Sequence, residues 1–127
     1  MKRGDPLWRE CDALCSQAAK LRDGGLCRFC GQAGKGSHHI IGRTYSGTMF
    51  LLANRLWLCE NKDCHNHDDV ELRAKCIEII GQAEYERLWE IARSVSQLRH
   101  ADLLVIRHTL KRAVSTYAEN SKLRGYL

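Results

Sequence analysis

At 127 residues and 44% hydrophobic composition, the chain suits one domain around one modest core, and no second domain is expected. Its longest apolar runs span only a few residues. With no charged-then-apolar leader and no small-residue cleavage site near Met1, the simplest expectation is a cytoplasmic protein with no membrane partner. A formal net charge of +5 permits a polyanionic partner without demanding one.

In chain order the first predicted element is a helix over Pro6 to Arg22. Asp5 can cap it, Pro6 suits its first turn, and Leu7, Cys11, Leu14, Cys15, Ala18 and Leu21 form one apolar stripe. Gly24 and Gly25 stop it, closing an N-terminal portion of residues 1–25. Residues 26–81 form a Cys/His segment in which Gly31, Gly34, Gly36, Gly42 and Gly47 enforce turns. Within it, His39 to Ile41 and Leu56 to Leu58 are expected to be two strands of a hairpin with a long connection. A helix follows from about His65 to Ile80. Asp68, Asp69 and Glu71 stand in its first turns, where negative charge meets the positive end of the helix dipole, and Gly81 ends it. Residues 82–127 are helical by pattern. Tyr85, Leu88, Trp89 and Ala92 mark one helix, and Leu103, Ile106, Leu110, Val114 and Tyr117 mark a longer one, with fraying expected beyond Glu119.

The chemistry concentrates in the middle segment. Seven cysteines would suggest disulfides in a small secreted protein. Paired at C-x-x-C spacing beside histidines in an intracellular chain they point to metal, and the odd total agrees, since disulfides alone would strand one thiol. Cys27, Cys30, Cys59 and Cys64 form a candidate tetrahedral thiolate site for structural zinc, with His65 or His67 as reserve ligands. Such a site leaves no open position for substrate but ties distant loops together. Cys11, Cys15 and Cys76 fall in helical apolar positions and are assigned to packing, without metal.

His38 and His39 are adjacent. Consecutive strand residues point to opposite faces, so two distinct roles fit the pair better than one. One histidine can hold a divalent ion while its neighbour, kept neutral, activates water. Arg43 is a candidate phosphate clamp, with a solvated arginine as the alternative.

The run CRFCGQAGKGSHHIIGR followed by ANRLWLCENKDCHNH resembles the HNH endonucleases with the ββα-metal motif, in particular the zinc-clamped subgroup that includes phage recombination nucleases of the NinG/Rap type. The resemblance covers about residues 26–80. It implies an α+β fold with a small ββα-metal hairpin-helix core flanked by N-terminal and C-terminal helices. It makes His38 a ligand of the catalytic divalent ion, His39 the general base, Asn54 the brace of the hairpin and His65 the second ligand. Many family members carry aspartate where His38 stands; histidine there favours Mn2+, Ni2+ or Zn2+ over Mg2+, which prefers oxygen ligands. The resemblance to phage recombination nucleases further suggests a preference for branched or single-strand-containing DNA, such as recombination intermediates.

Basic residues at Lys2, Arg3, Arg9, Arg99, Arg107, Lys111 and Arg112 suit a nucleic acid held by its backbone, which would weaken steeply with salt, and a solvated face is the alternative for the last four. The acidic residues Glu60, Asp63, Asp68, Asp69 and Glu71 run against this. RNA is the other substrate compatible with the chemistry. A non-catalytic zinc module docking on DNA or protein would need the cysteines but not the arrangement of His39 and Asn54. A thiol redox protein would need a βαβ pattern around Cys27 and Cys30 that is absent. The sequence leaves the oligomeric state open, a homodimer included.

Overall fold

The computed structural model describes residues 4–61, 64 and 69–124. Over these residues the chain is α+β, with four helices and a two-stranded antiparallel sheet. The order is α1 (Pro6–Arg22), β1 (Gly36–His39), β2 (Arg55–Leu58), α2 (Asp69–Ile80), α3 (Gln82–Ser94) and α4 (His100–Arg124), with 3-10 turns at Ser46–Thr48 and Leu52–Asn54.

The first helix begins as its sequence predicts. Asp5 Oδ1 accepts a hydrogen bond from the Leu7 amide at 2.9 Å, and Pro6 occupies a position where no amide hydrogen is missed. At the other end Gly24 and Gly25 take φ of 68° and 72°, a left-handed region open to glycine at little cost. Their amides close on Leu21 and Lys20 carbonyls. Cys11, Cys15 and Ala18 are fully buried as the stripe predicts, and Trp8, outside that stripe, joins them by packing edge-on against Phe50 at 4.7 Å. This face meets Leu103 and Leu110 of α4, with Met49 and Leu98 completing the cluster. The Cys11 thiol points at the Leu103 carbonyl, 3.5 Å away. Residues from both ends of the chain thus make one core.

The hairpin departs from expectation in register. Its first strand was expected at His39 to Ile41 but lies earlier, with Gly36 opposite Leu58, Ser37 opposite Trp57, His38 opposite Leu56 and His39 opposite Arg55. The ladder stops at His39 because the amides of Ile40 and Ile41 turn to Asn54, one to its carbonyl at 2.9 Å and the other to its side-chain Oδ1 at 2.8 Å. The connection between strands then runs beneath α3. A Cβ on Gly47 would lie 2.8 Å from the Ile91 carbonyl oxygen, so this approach requires glycine.

The helix α2 packs its Cys76, Ile79 and Ile80 against Leu56 and Leu58. It is described from Asp69; the expected start at His65 lies outside the described residues, as do Asp63 and Asp68. Gly81 separates it from α3, as the sequence suggests. The final helix continues to Arg124, past the expected fraying point at Glu119, since no helix breaker precedes Gly125.

Candidate functional site

The thiols of Cys27, Cys30, Cys59 and Cys64 all lie within 4.8 Å of one another. Cys27 and Cys64 sulfurs are 3.7 Å apart, and Cys30 and Cys59 sulfurs 3.8 Å. A tetrahedral ion with metal–sulfur bonds of about 2.3 Å separates its ligands by about 3.8 Å, whereas a disulfide needs about 2.05 Å. The quartet fits a metal and no disulfide, and it can hold a structural metal such as zinc. Two turns build it. The Gly31 amide closes on the Cys27 carbonyl at 2.8 Å, bringing Cys30 back over Cys27, and the Cys64 amide closes on the Asn61 carbonyl at 3.1 Å.

The thiols do not titrate alike. Burial by itself would raise Cys27, but backbone amides of Cys59, Cys30 and Phe29 aimed at its sulfur overcome this and bring it to about 6. Cys64 is pushed far up, by burial and then by the neighbouring thiols of Cys30, Cys27 and Cys59. A first thiolate thus forms readily and resists the next, a repulsion that a bound cation would remove. Cys15 and Cys76 differ in kind, with burial raising each to about 11. Both are buried in apolar clusters, which fits their assignment to packing.

His38 and His39 come together around a cleft. Both line a cavity of about 330 Å³ walled by α2 and α3, and both line a smaller hollow of about 230 Å³ shared with Gly42 and Arg43. Strand alternation alone would let only one of them line a site. Both do so because the ladder ends at His39 and the chain turns there. His38 is half-buried and His39 is buried, 8% exposed. His39 Nε2 is enclosed with no hydrogen-bond partner among the described residues. Burial, followed by the cations of Arg55 and Arg43, lowers His39 to about 4, so its ring is neutral near pH 7.

Asn54 lies behind the cleft and is fully buried. Its Nδ2 donates to the Ile41 and Thr48 carbonyls, both at 3.0 Å, while its Oδ1 accepts from the Ile41 amide at 2.8 Å. One side chain therefore pins both ends of the connection that follows His39. Arg43 is exposed at the cleft rim. His65 and His67 lie outside the described residues.

Sequence reasoning overlooked Arg55. Its guanidinium is buried beside the hairpin and donates to Asp12 Oδ1 at 2.7 Å, Met49 carbonyl at 2.9 Å, and both Ser16 and Ser37 hydroxyls at 3.0 Å. It ties α1, β1 and the connection together directly across from His39. An arginine opening an otherwise apolar strand was the available signal, because a buried cation must find partners. Asp23 was also overlooked: its carboxylate accepts from the Trp57 amide at 3.0 Å and from Arg22 and Arg28 at 2.8 Å, fixing the end of α1 to β2. Of the basic residues, Arg107 pairs with Glu10 at 2.9 Å. Lys2 and Arg3 lie outside the described residues.

Comparison with protein-family models, curated proteins and solved structures gives no match to this chain. Among the described residues, no helix is long and apolar enough to cross a membrane.

Proposed function

We infer that this protein is a metal-dependent endonuclease of the HNH class that hydrolyses DNA phosphodiester bonds, built on a ββα-metal core with Cys27, Cys30, Cys59 and Cys64 holding structural zinc. The observation that carries this reading is the pairing of a buried, neutral His39 with His38 at an open cleft whose backbone Asn54 fixes from behind. A general base must be unprotonated at working pH and must be held still, and His39 meets both requirements. With Nε2 enclosed, Nδ1 is the atom through which the ring would take a proton from water. Arg43, on the same hollow, suits a phosphate oxygen. His38 and His65 would hold the catalytic cation, which supplies positive charge against the phosphate during hydrolysis. The quartet of thiols, with no open position, is assigned to structure alone.

The test combines cleavage with metal analysis. Wild-type protein is expected to cleave DNA only with added Mg2+, Mn2+, Ni2+ or Zn2+, while about one zinc per chain remains tightly held. His39→Ala is expected to lower the rate by about 100-fold or more with that zinc retained. His38→Ala is expected to weaken activity and to recover partly at high divalent-metal concentration. Equal cleavage by His39→Ala and wild type would overturn the reading in favour of a non-catalytic zinc module docking on DNA or protein. Supercoiled, linear, single-stranded and branched DNA, with RNA beside them, define the substrate.

A further inference from the structure

The wall of the cleft facing the histidines takes no part in the chemistry above. It is made by α2 and α3, which contribute Arg73, Tyr85 and Trp89 to the cavity of about 330 Å³ that His38 and His39 also line. Tyr85 and Trp89 stand four residues apart and so share one face of α3. They are half-buried, whereas Leu88 and Ala92 of the same helix are buried in the core with Ile41. Trp89 also packs in part against that cluster, and what packing leaves uncovered of Trp89 and Tyr85 lines the cavity.

The rings of that surface pack on one another. The Trp89 ring meets Tyr45 edge-on with centroids 5.0 Å apart and Tyr85 at 6.5 Å, and the Arg93 guanidinium lies 5.2 Å from its centroid. Arg73 is exposed and makes no ion pair among the described residues, so it adds a cation to the same wall. The cavity is within the range that takes a small ligand or one residue of a polymer. It pairs aromatic rings and a cation on one side with an imidazole pair on the other. A nucleotide has the matching parts, a flat π face and an anionic phosphate. In a duplex both faces of each base are covered by its neighbours, so only an unstacked base can lie on these rings.

We propose that the Arg73, Tyr85 and Trp89 wall is a nucleobase subsite, which takes an unpaired nucleotide and directs its phosphate toward His38 and His39. The substrate class is then single-stranded or branch-point nucleic acid. This rests on the reading of the histidine cleft as a phosphodiester site.

Binding of equal-length single-stranded DNA, single-stranded RNA and duplex DNA, read by fluorescence anisotropy, tests it. Every protein in the series carries His39→Ala so that nothing is cleaved. The parent is expected to bind at least one single strand more tightly than duplex, and the preferred strand names the sugar. Tyr85→Ala is expected to weaken that single-strand binding about 10-fold and to change duplex binding less than about twofold, while Tyr85→Phe, which keeps the ring, retains it. Single strand is also expected to quench tryptophan fluorescence, and Trp89→Phe to remove the quenching, since Trp8 and Trp57 are buried. Unchanged single-strand binding in Tyr85→Ala, or equal losses on both strand types, would overturn the subsite. If single-strand binding depends on Tyr85 but wild-type protein cleaves no nucleic acid with any of the four metals, the nuclease reading fails and the subsite stands. Cleavage by wild type with Tyr85→Ala binding like its parent sinks the subsite alone.

Discussion

The α1–α4 pair and the Cys/His segment between residues 26 and 81 are held by different physics. In the helix pair, apolar side chains from the two ends of the chain cover each other, with Trp8, Cys11, Cys15, Leu103 and Leu110 in one cluster. Each such burial contributes independently and without direction. The segment has a two-stranded sheet, one helix and smaller apolar clusters, and much of its geometry rests on single polar groups that each fix several chain segments. Asn54 pins the connection, Arg55 joins three segments, and four thiols gather two loops. The helix pair should therefore lose stability in graded steps, while the segment should fail at particular residues. That difference would suit the proposed site, since the base and phosphate contact proposed there need fixed positions more than bulk stability.

The largest expected effect breaks the segment outright. Cys27→Ser is expected to abolish tight zinc binding and most of the cooperative unfolding transition, since binding energy at a thiolate site is also folding energy. Metal analysis and thermal melts check this, and a well-folded wild-type protein free of zinc would remove the clamp from the account. The helix pair is tested by Leu103→Ala, a fully buried position. It should cost about 4 kcal/mol by denaturant titration while leaving zinc content unchanged, because Leu103 lies in the α1–α4 cluster and the thiols in another.

Next in size is Asn54→Ala, which strands the Ile41 amide and two carbonyls in the interior. A loss of about 3 kcal/mol is expected, together with a fall in cleavage greater than that of Leu103→Ala, because the backbone after His39 is released. Zinc should again be retained.

The smallest effect sharpens the comparison through pH. Burial alone would raise Asp23, but hydrogen bonds from Arg22 and the Trp57 amide outweigh it and hold the carboxyl below its usual range. A depressed folded-state pKa gives stability that is fully present above the unfolded carboxyl value of about 3.9 and is lost as pH falls from there through the folded value. Asp23→Asn should accordingly cost about 1–2 kcal/mol near neutrality, and its gap from wild type should narrow as the pH drops below about 4. A gap that is constant with pH would mean that the carboxylate charge contributes nothing.

The four helices were legible in the sequence because helical signals are local. A cap, a proline, a stripe at helical spacing and a terminal glycine all lie within a few turns, as Asp5, Pro6 and Gly24 illustrate. The thiol quartet was legible for a related reason, since C-x2-C spacing places two sulfurs on one side of a turn. The hairpin was legible only in outline. Ile40 and Ile41 are apolar enough for a strand, and nothing within the run reveals that Asn54 captures their amides and ends the ladder at His39.

What the sequence by itself determined about this protein is the α+β composition, the helices, and the inventory of cysteines, histidines and asparagine from which a site can be made. Tertiary structure alone decided that both His38 and His39 reach one cleft and that His39 is enclosed and neutral. It also decided that Arg55 and Asp23 are structural centres, and that Tyr85 and Trp89 face the histidines across a cavity. The reason is physical. Propensity and periodicity act over a few residues. Burial, a buried ion's choice of partners and the shape of a cavity depend on segments far apart in the chain, such as Asp12 and Arg55, which meet only when the whole fold is in place.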